Sequence, residues 1–151
     1  MEITVDRMKH SMEVAKKMKI IVAENEQVYM ISPDEAFILG ILHDIGYEFS
    51  EKQQDHANRG GRILKGQGYR FWKEIYFHGI PQKEYDSAEL WLLNFVDMIT
   101  GPKGESMTIN QRISDIADRY GKGSLQEIEA KKLAEQIKIH ASYLLENEPS
   151  F

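Results

Sequence analysis

The chain has 151 residues, of which 42% are hydrophobic and 28% charged, as in one soluble globular domain, and this composition excludes a disordered or fibrous chain. Its net charge of −5, with no long block of lysine and arginine, argues against binding to long nucleic acid. The chain has no cysteine, so disulfides and thiolate metal sites are excluded and a transition metal would need imidazole and carboxylate ligands.

The sequence shows neither a signal peptide nor a membrane-spanning stretch. Residues 1–7 lack the apolar run of a signal peptide, and no window reaches the roughly 18 consecutive apolar residues of a membrane span. We therefore expect a cytoplasmic protein without a membrane partner.

Signals for the start of a helix occur five times along the chain. Ser32 precedes Pro33 and Glu35, an arrangement typical of a capped helix with proline in its first turn. The same spacing between a cap residue and a Glu or Gln recurs at Ser50–Gln53, Asp86–Glu89, Thr108–Gln111 and Ser124–Glu127. With the apolar periodicity, these signals predict helices at 4–26, 33–46, 51–66, 68–78, 86–100, 108–120 and 124–147.

The distribution of apolar residues predicts which helices are buried. Segments 36–42 and 90–99 are apolar on nearly all sides, which predicts core helices. Segment 124–147 has only an apolar stripe that includes Ile128, Leu133 and Ile137, so we expect an outer amphipathic helix. No segment alternates as a strand does, and the sequence predicts an all-α fold, a single bundle of about six to seven helices.

Three polar residues occur within or next to the two most apolar segments. His43 and Asp44 directly follow the first, and Asp97 interrupts the second. A buried carboxylate must be neutralised, paired or bound to a cation, because an unpaired buried charge is strongly destabilising. For one isolated aspartate, a salt bridge or capping network is an equal alternative. The adjacent His43 and Asp44 favour a divalent metal, which explains all three residues together.

The order His10, His43-Asp44 and Asp97 resembles the HD superfamily of metal-dependent phosphohydrolases, which is named after its His-Asp doublet. The similarity includes residues 7–11 and 39–46 and covers about residues 4–120. It implies a single HD domain at 1–151, with a core at about 4–120 and the amphipathic C-terminal helix at about 124–147. It also implies an all-α core that brings His10, His43, Asp44 and Asp97 around one metal.

His56 and His78 extend this resemblance to HD subfamilies that hold two metals. Those subfamilies have two further histidines between the doublet and the last aspartate, and they include bacterial diadenosine tetraphosphate hydrolases and HD-GYP cyclic dinucleotide phosphodiesterases. The resemblance implies that His56 and His78 bind a second ion and that Asp44 bridges the two ions. The GYP signature itself is absent. We interpret the fifth histidine, His140, as an ordinary surface or core residue.

The function implied by the resemblance is hydrolysis of a phosphoester or phosphoanhydride in a small metabolite, a nucleotide or dinucleotide, by water activated by one or two divalent ions. Asp44 is the expected catalytic residue. Iron, manganese, cobalt, nickel and zinc all suit such ligands. Arg59 and Lys103 are candidates for binding substrate phosphates, with solvated surface charge as the alternative. Glu48 and Asp55 are candidates for an acid, a hydrogen-bond acceptor behind the ligands, or exposed charge.

Tyr47 leaves a second class of function open. Many HD relatives carry a lysine at this position, directly after the His-Asp-x-Gly stretch, where it would contact a phosphate. The alternative function is therefore a sensory or regulatory HD module that binds metal and nucleotide with weak or no turnover. A helical scaffold without metal is a third class, and the buried carboxylates argue against it.

Overall fold

The computed structural model describes residues 3–48 and 56–148, and this part of the chain is helical. Its α-helices are α1 (Val5–Glu24), α2 (Pro33–Leu42), α3 (His56–Gly66), α4 (Trp72–Phe77), α5 (Ala88–Met98), α6 (Ile109–Tyr120) and α7 (Leu125–His140). Short 3-10 helices span Ile45–Glu48 and Ser142–Asn147. The described residues form no strand, only one isolated bridge between Thr100 and Ser106. The predicted all-α fold is confirmed.

Side-chain caps start several helices as the sequence predicts. The Ser32 hydroxyl accepts from the backbone amide of Glu35, whose carboxylate accepts from the amide of Ser32 in return. Thr108 and Gln111 form the same reciprocal pair at α6, and Ser124 caps α7. These bonds occupy backbone donors that the first turn of a helix leaves unpaired.

The start of α5 differs from the prediction. Ser87, not Asp86, caps this helix by accepting from the Leu90 amide at 2.9 Å. Asp86 instead accepts from the indole N–H of Trp91. The pair Ser50–Gln53 lies outside the described residues.

Two predicted helices end early. α2 stops at Leu42 instead of continuing to residue 46, and the chain then follows a 3-10 path that places Gly46 against the backbone of His56. The prediction of one helix over 124–147 is also wrong. Ala141 leaves helical geometry, with φ −148° and ψ 45°, and the following 3-10 helix buries Leu144.

The prediction of which helices are buried is confirmed for α5 and partly wrong for α2 and α7. α5 is buried on nearly all sides. In α2, Ile38 and Ile41 are exposed, because α1 covers only the face formed by residues 36, 39 and 40. In α7, Leu133 and Ile137 are buried as predicted, whereas Ile128 is exposed. Among the described helices, none combines the length and apolar character needed to cross a membrane.

Gly40→Ala tests the close crossing of α1 and α2. A Cβ at Gly40 would lie 2.5 Å from the Cα of Ala15, a backbone atom that moves only if the helices shift. We expect the free energy of unfolding, measured by urea denaturation, to fall by about 1–3 kcal/mol. Gly66→Ala is the control, because a Cβ there meets no atom within 4 Å. An equal loss in both variants would contradict this account of the crossing.

Candidate metal centre

Six polar side chains from separate parts of the chain come together in one cluster. Each was a candidate metal ligand from the sequence, and the structure brings all of them together. They are His10 in α1, His43 and Asp44 after α2, His56 at the start of α3, His78 after α4, and Asp97 in α5.

One half of this cluster surrounds the Oδ2 atom of Asp44. His43 Nε2 lies 3.2 Å and His10 Nε2 3.6 Å from that oxygen. Asp97 Oδ1 faces the same two nitrogens, at 2.8 Å from His10 and 3.5 Å from His43. The two Nε2 atoms are 3.3 Å apart.

The other half surrounds the second oxygen of Asp44. The Oδ1 atom lies 3.4 Å from His56 Nε2 and 3.5 Å from His78 Nε2. These two imidazole nitrogens are 3.3 Å apart. Asp44 therefore directs one carboxylate oxygen to each of two histidine pairs.

Backbone carbonyls fix three of the imidazole rings through their opposite nitrogens. Two of these carbonyls, those of Gly40 and Ile75, lie in the last turns of α2 and α4, and the ring of the histidine three residues later donates to each of them. The contacts join Nδ1 of His10 to Gly101 O at 2.9 Å, His43 to Gly40 O at 2.7 Å and His78 to Ile75 O at 2.6 Å. Outer hydrogen bonds of this kind orient histidines that bind metals.

These carbonyls create a need for positive charge in the cluster. A neutral imidazole that donates from Nδ1 has a bare lone pair on Nε2, which is an acceptor. The Nε2 atoms of His10, His43 and His78 face carboxylate oxygens, which are acceptors too. Acceptors that face one another in a buried site need a cation between them, either protons or a metal ion.

The pKa values of the cluster reflect the same demand. Burial opposes ionisation of Asp44 and Asp97, yet the histidines beside them hold the pKa of both carboxyls well below the usual range. Burial also opposes charge on His43, but the two carboxylates outweigh it and raise the pKa of its imidazole well above the ordinary value. Burial lowers the pKa of His78. The site thus keeps two negative charges and attracts positive charge.

The donor set fits divalent metal ions. Two ligand atoms that each lie about 2.1 Å from an ion, at right angles, are about 3 Å apart. The contacts across the cluster, from 2.8 Å for His10 with Asp97 to 3.6 Å for His10 with Asp44, are close to that spacing. Imidazole nitrogen and carboxylate oxygen together suit divalent transition metals.

Tyr47 packs beside the cluster, and its ring contacts the ring of His56. The two rings are stacked, with centroids 4.1 Å apart and planes 13° from parallel, and the guanidinium of Arg7 covers the other face of Tyr47 at 3.3 Å. Burial, aided by the charge of Asp44, raises the pKa of the Tyr47 phenol, which therefore stays neutral. An aromatic ring therefore packs against the face of His56 at this position.

Two cavities open onto the cluster, with volumes of about 430 and 310 Å³. Both are lined by Arg7 and Arg112 as well as by His56 and Asp97. Lys103 lines the smaller cavity.

The remaining candidates from the sequence are less central. Arg59 is exposed and lines neither of these cavities. His140 lies apart from the cluster and stacks on Trp91 with centroids 4.5 Å apart. Asp55 and the side chain of Glu48 lie outside the described part of the chain.

Sequence reasoning missed Asn94 and gave no role to Arg7 or Arg112. Asn94 is buried and lines the larger cavity. A signal for it existed, since it interrupts the same apolar segment as Asp97, one helical turn earlier. Arg112 gave no such signal, because α6 carries several charged residues and only the fold shows which of them faces the cluster.

The model of the HD domain family matches residues 7–122. The chain belongs to the HD domain family. Neither the curated proteins nor the solved structures contain a match to it. The HD match begins within α1, extends past the end of α6 and includes all six clustered residues, whereas α7 lies beyond it.

His56→Ala tests whether the HD cluster binds two ions. Because Asp44 Oδ1 would keep only His78 as a neighbouring ligand, we expect bound manganese, measured by elemental analysis after dialysis, to fall from about two ions per chain to one. His140→Ala, which removes a histidine outside the cluster, should leave the count unchanged. An unchanged count in His56→Ala would contradict the second ion and leave the first untouched.

Substitutions of Tyr47 test its effect on His56. Tyr47→Phe keeps the stacked ring, so the affinity for the second manganese ion should stay close to that of the wild type in a chelator competition. Tyr47→Leu removes the ring and should weaken that affinity by about tenfold, as is common when an outer partner of a metal ligand is lost. Equal affinities in the two variants would show that the stack does not orient His56.

Proposed function

We propose that this HD protein is a metal-dependent phosphohydrolase that cleaves a phosphoester or phosphoanhydride of a small metabolite, a nucleotide or dinucleotide. The observation that carries the proposal is the position of Asp44, which directs one buried oxygen to each of two histidine pairs. Such a shared carboxylate is well suited to hold two cations side by side above a phosphate.

In this proposal the cluster divides at Asp44. His10, His43 and Asp97 bind one divalent ion, and His56 and His78 bind the other. Bound divalent ions supply Lewis acidity, which lowers the pKa of water toward neutrality and stabilises negative charge on phosphoryl oxygens. Iron, manganese, cobalt, nickel and zinc all match the ligand types.

The protein's own residues would orient the ligands and attract the substrate. The carbonyls behind His10, His43 and His78 keep the Nε2 atoms directed at the site. Arg7 and Arg112 line both cavities and bring positive charge to a chain whose net charge is −5. Arginine donors suit the oxygens of a phosphate, so these two residues are better placed than Arg59 to bind one.

The size of the cavities supports a small substrate. Sites for small molecules usually measure about 300–1,000 Å³, and the two cavities at the cluster are about 430 and 310 Å³. A metabolite would be enclosed there, whereas a polymer would need a long basic groove.

A sensory or regulatory HD module is the second candidate function, and Tyr47 favours it. This residue is a neutral phenol where many relatives have a lysine, so one positive charge near the phosphate is replaced by an aromatic ring. A module of this kind would bind metal and nucleotide and turn over little or none.

Asp44→Asn tests the hydrolase. Wild-type protein loaded with manganese should hydrolyse a generic ester such as bis-p-nitrophenyl phosphate or a nucleotide. The variant loses the charged bridge, so its kcat should fall by more than the roughly 10–100-fold typical of outer-shell partners. Asp34→Asn is the control, because Asp34 is an exposed residue of α2 paired only with Lys19 among the described residues.

The outcomes separate the two functions. Hydrolysis that requires Asp44 but not Asp34 supports the enzyme. Binding of metal and nucleotide without turnover of any tested ester would replace the enzyme with the sensory module. A protein that binds no divalent ion would contradict both.

A further inference from the structure

The segment that follows α5 folds into a small hairpin, which we call the 100–106 hairpin. Thr100 and Ser106 form an antiparallel bridge at its base. Within it, the backbone amide of Gly101 donates to the carbonyl of Glu105 at 2.7 Å. The side chain of Glu105 folds over Gly101 and leaves no room there for a Cβ atom. The hairpin therefore has a defined internal structure that its own hydrogen bonds maintain.

The carbonyl of Gly101 is the acceptor behind His10. It lies 2.9 Å from Nδ1 of His10, and the backbone amide of Gly104 donates to the same oxygen at 3.0 Å. A carbonyl oxygen has two lone pairs, so these two donors use its full capacity. The hairpin thus fixes the direction of the carbonyl that orients His10.

The hairpin packs along one face of α1. A Cβ on Gly104, whose φ is +85°, would lie 3.1 Å from the carbonyl oxygen of Lys9 and 3.1 Å from Cγ of Glu13. One helical turn beyond Glu13, the ammonium of Lys17 donates to the hydroxyl oxygen of Thr100 at 3.2 Å. Residues four apart share a helix face, so α1 contacts the hairpin over two turns.

Thr100 joins this contact to the end of α5. It is fully buried, and its hydroxyl donates to the carbonyl of Val96 at 2.7 Å while it accepts from Lys17. The backbone amide of Thr100 donates to Asp97 instead, so the hydroxyl supplies a donor that the last turn of the helix lacks. Lys17 therefore contacts a group whose position is fixed three residues after a candidate metal ligand.

Lys17 is a partly buried cation without an ion pair among the described residues. Glu13 pairs with Lys16 at 3.2 Å, whereas the printed contact of the Lys17 ammonium is the hydroxyl of Thr100. Burial lowers the pKa of Lys17, although the charge of Glu13 acts in the opposite direction. Because burial of a cation offsets much of what its contacts contribute, we expect Lys17 to act on the position of the hairpin more than on the stability of the fold.

The position of the hairpin determines how His10 presents its ring. Nε2 of His10 lies 2.8 Å from Oδ1 of Asp97, so a neutral ring with its proton on Nε2 would donate to that carboxylate and exclude an ion. With the carbonyl of Gly101 held at Nδ1, this tautomer would place two lone pairs against each other. The docked hairpin therefore favours the tautomer whose Nε2 can bind a metal.

We propose that Lys17 and Thr100 are positioning residues for the first ion, the one assigned to His10, His43 and Asp97, because they dock the 100–106 hairpin on α1 and hold the Gly101 carbonyl against His10. This inference rests on the proposed function, which makes His10 a ligand of that ion. The second ion should be insensitive to both residues.

Zinc titration followed by NMR tests the proposal ion by ion. The Cε1–H signals of His10 and His43 report the first ion and those of His56 and His78 the second, once each is assigned from a variant that lacks that histidine. Nitrilotriacetate in the sample sets the concentration of free zinc, so both affinities come from one titration without any turnover.

Lys17→Met removes the ammonium and keeps most of the apolar stem. The affinity for the first ion should fall by about tenfold, the lower end of the range for outer partners of a metal ligand, and the affinity for the second should stay within about twofold. Lys16→Met is the control, since Lys16 is exposed and pairs with Glu13. Equal losses at both ions, or equal effects of the two substitutions, would overturn the proposal.

Thr100→Val and Thr100→Ser separate the hydroxyl from the shape of the side chain. Valine keeps the branched shape without the hydroxyl, and it should weaken the first ion by at least about tenfold. Serine keeps the hydroxyl and should retain an affinity close to that of the wild type. A loss as large in the serine variant as in the valine variant would assign the effect to packing and overturn the role of the hydroxyl.

Hydrogen exchange in the metal-free protein tests the docking without any ion. The amides of Gly101 and Gly104 donate within the hairpin, and in Lys17→Met they should exchange at least about threefold faster than in Lys16→Met. Amides in the middle of α5 should keep their protection. Unchanged exchange at Gly101 and Gly104 would show that Lys17 does not dock the hairpin.

The wild-type titration separates failure of this inference from failure of the proposed function. Zinc that shifts none of the four histidine signals would contradict the metal centre and this inference with it. Zinc that shifts all four, with the same first-ion affinity in Lys17→Met and Thr100→Val as in the wild type, would leave the metal centre standing and overturn the inference alone.

Discussion

Asp44 is only 6% exposed, and its carboxylate lies between two pairs of imidazole rings. Removing such a group from water is costly, and the histidines offset that cost only if positive charge is shared among them. The helix-end carbonyls behind His43 and His78 strengthen this requirement, because they take the Nδ1 protons and leave Nε2 lone pairs directed at Asp44. Without added positive charge this arrangement is unfavourable, because acceptor atoms face one another. Divalent cations between them make it favourable, and the metal-dependent chemistry proposed for this chain depends on that stabilisation.

The fold brings the ligands around Asp44 together by packing distant segments of backbone unusually close to one another. A Cβ on Gly46 would lie 1.7 Å from the carbonyl oxygen of His56, so only glycine lets the segment after Asp44 pass against the start of α3. Gly60 faces Gly46 from the next turn of α3. These contacts bring His56 within reach of Asp44 Oδ1, and Gly40 does the same for α1 and α2 near His10 and His43. The glycines of this HD domain therefore serve the metal centre as much as the core.

The sequence predicted the parts of the molecule that depend on local chemistry. Helix caps such as Ser32 follow from hydrogen bonds between near neighbours, and His43, Asp44 and Asp97 were recognised because charge is costly inside apolar segments. The breaks at Leu42 and Ala141 were missed, since they depend on packing against distant residues. The residues that line the cavities beside the cluster were the least predictable from the sequence. Charge and nearness in sequence to His56 and Asp97 suggested Arg59 and Lys103. Only the folded chain shows that Arg7 and Arg112 line both cavities and that the buried Nδ2 of Asn94 has no hydrogen-bond partner among the described residues.

Anomalous X-ray diffraction from crystals soaked in manganese tests most directly whether two ions bind beside Asp44, because it locates each ion without reference to turnover. We expect two anomalous peaks on opposite sides of the Asp44 carboxylate, one within bonding distance of Nε2 of His10 and His43 and the other within bonding distance of Nε2 of His56 and His78. Full occupancy of the first position alone would reduce the centre to a single ion. No peak at either position, in crystals that show manganese bound elsewhere, would contradict the account.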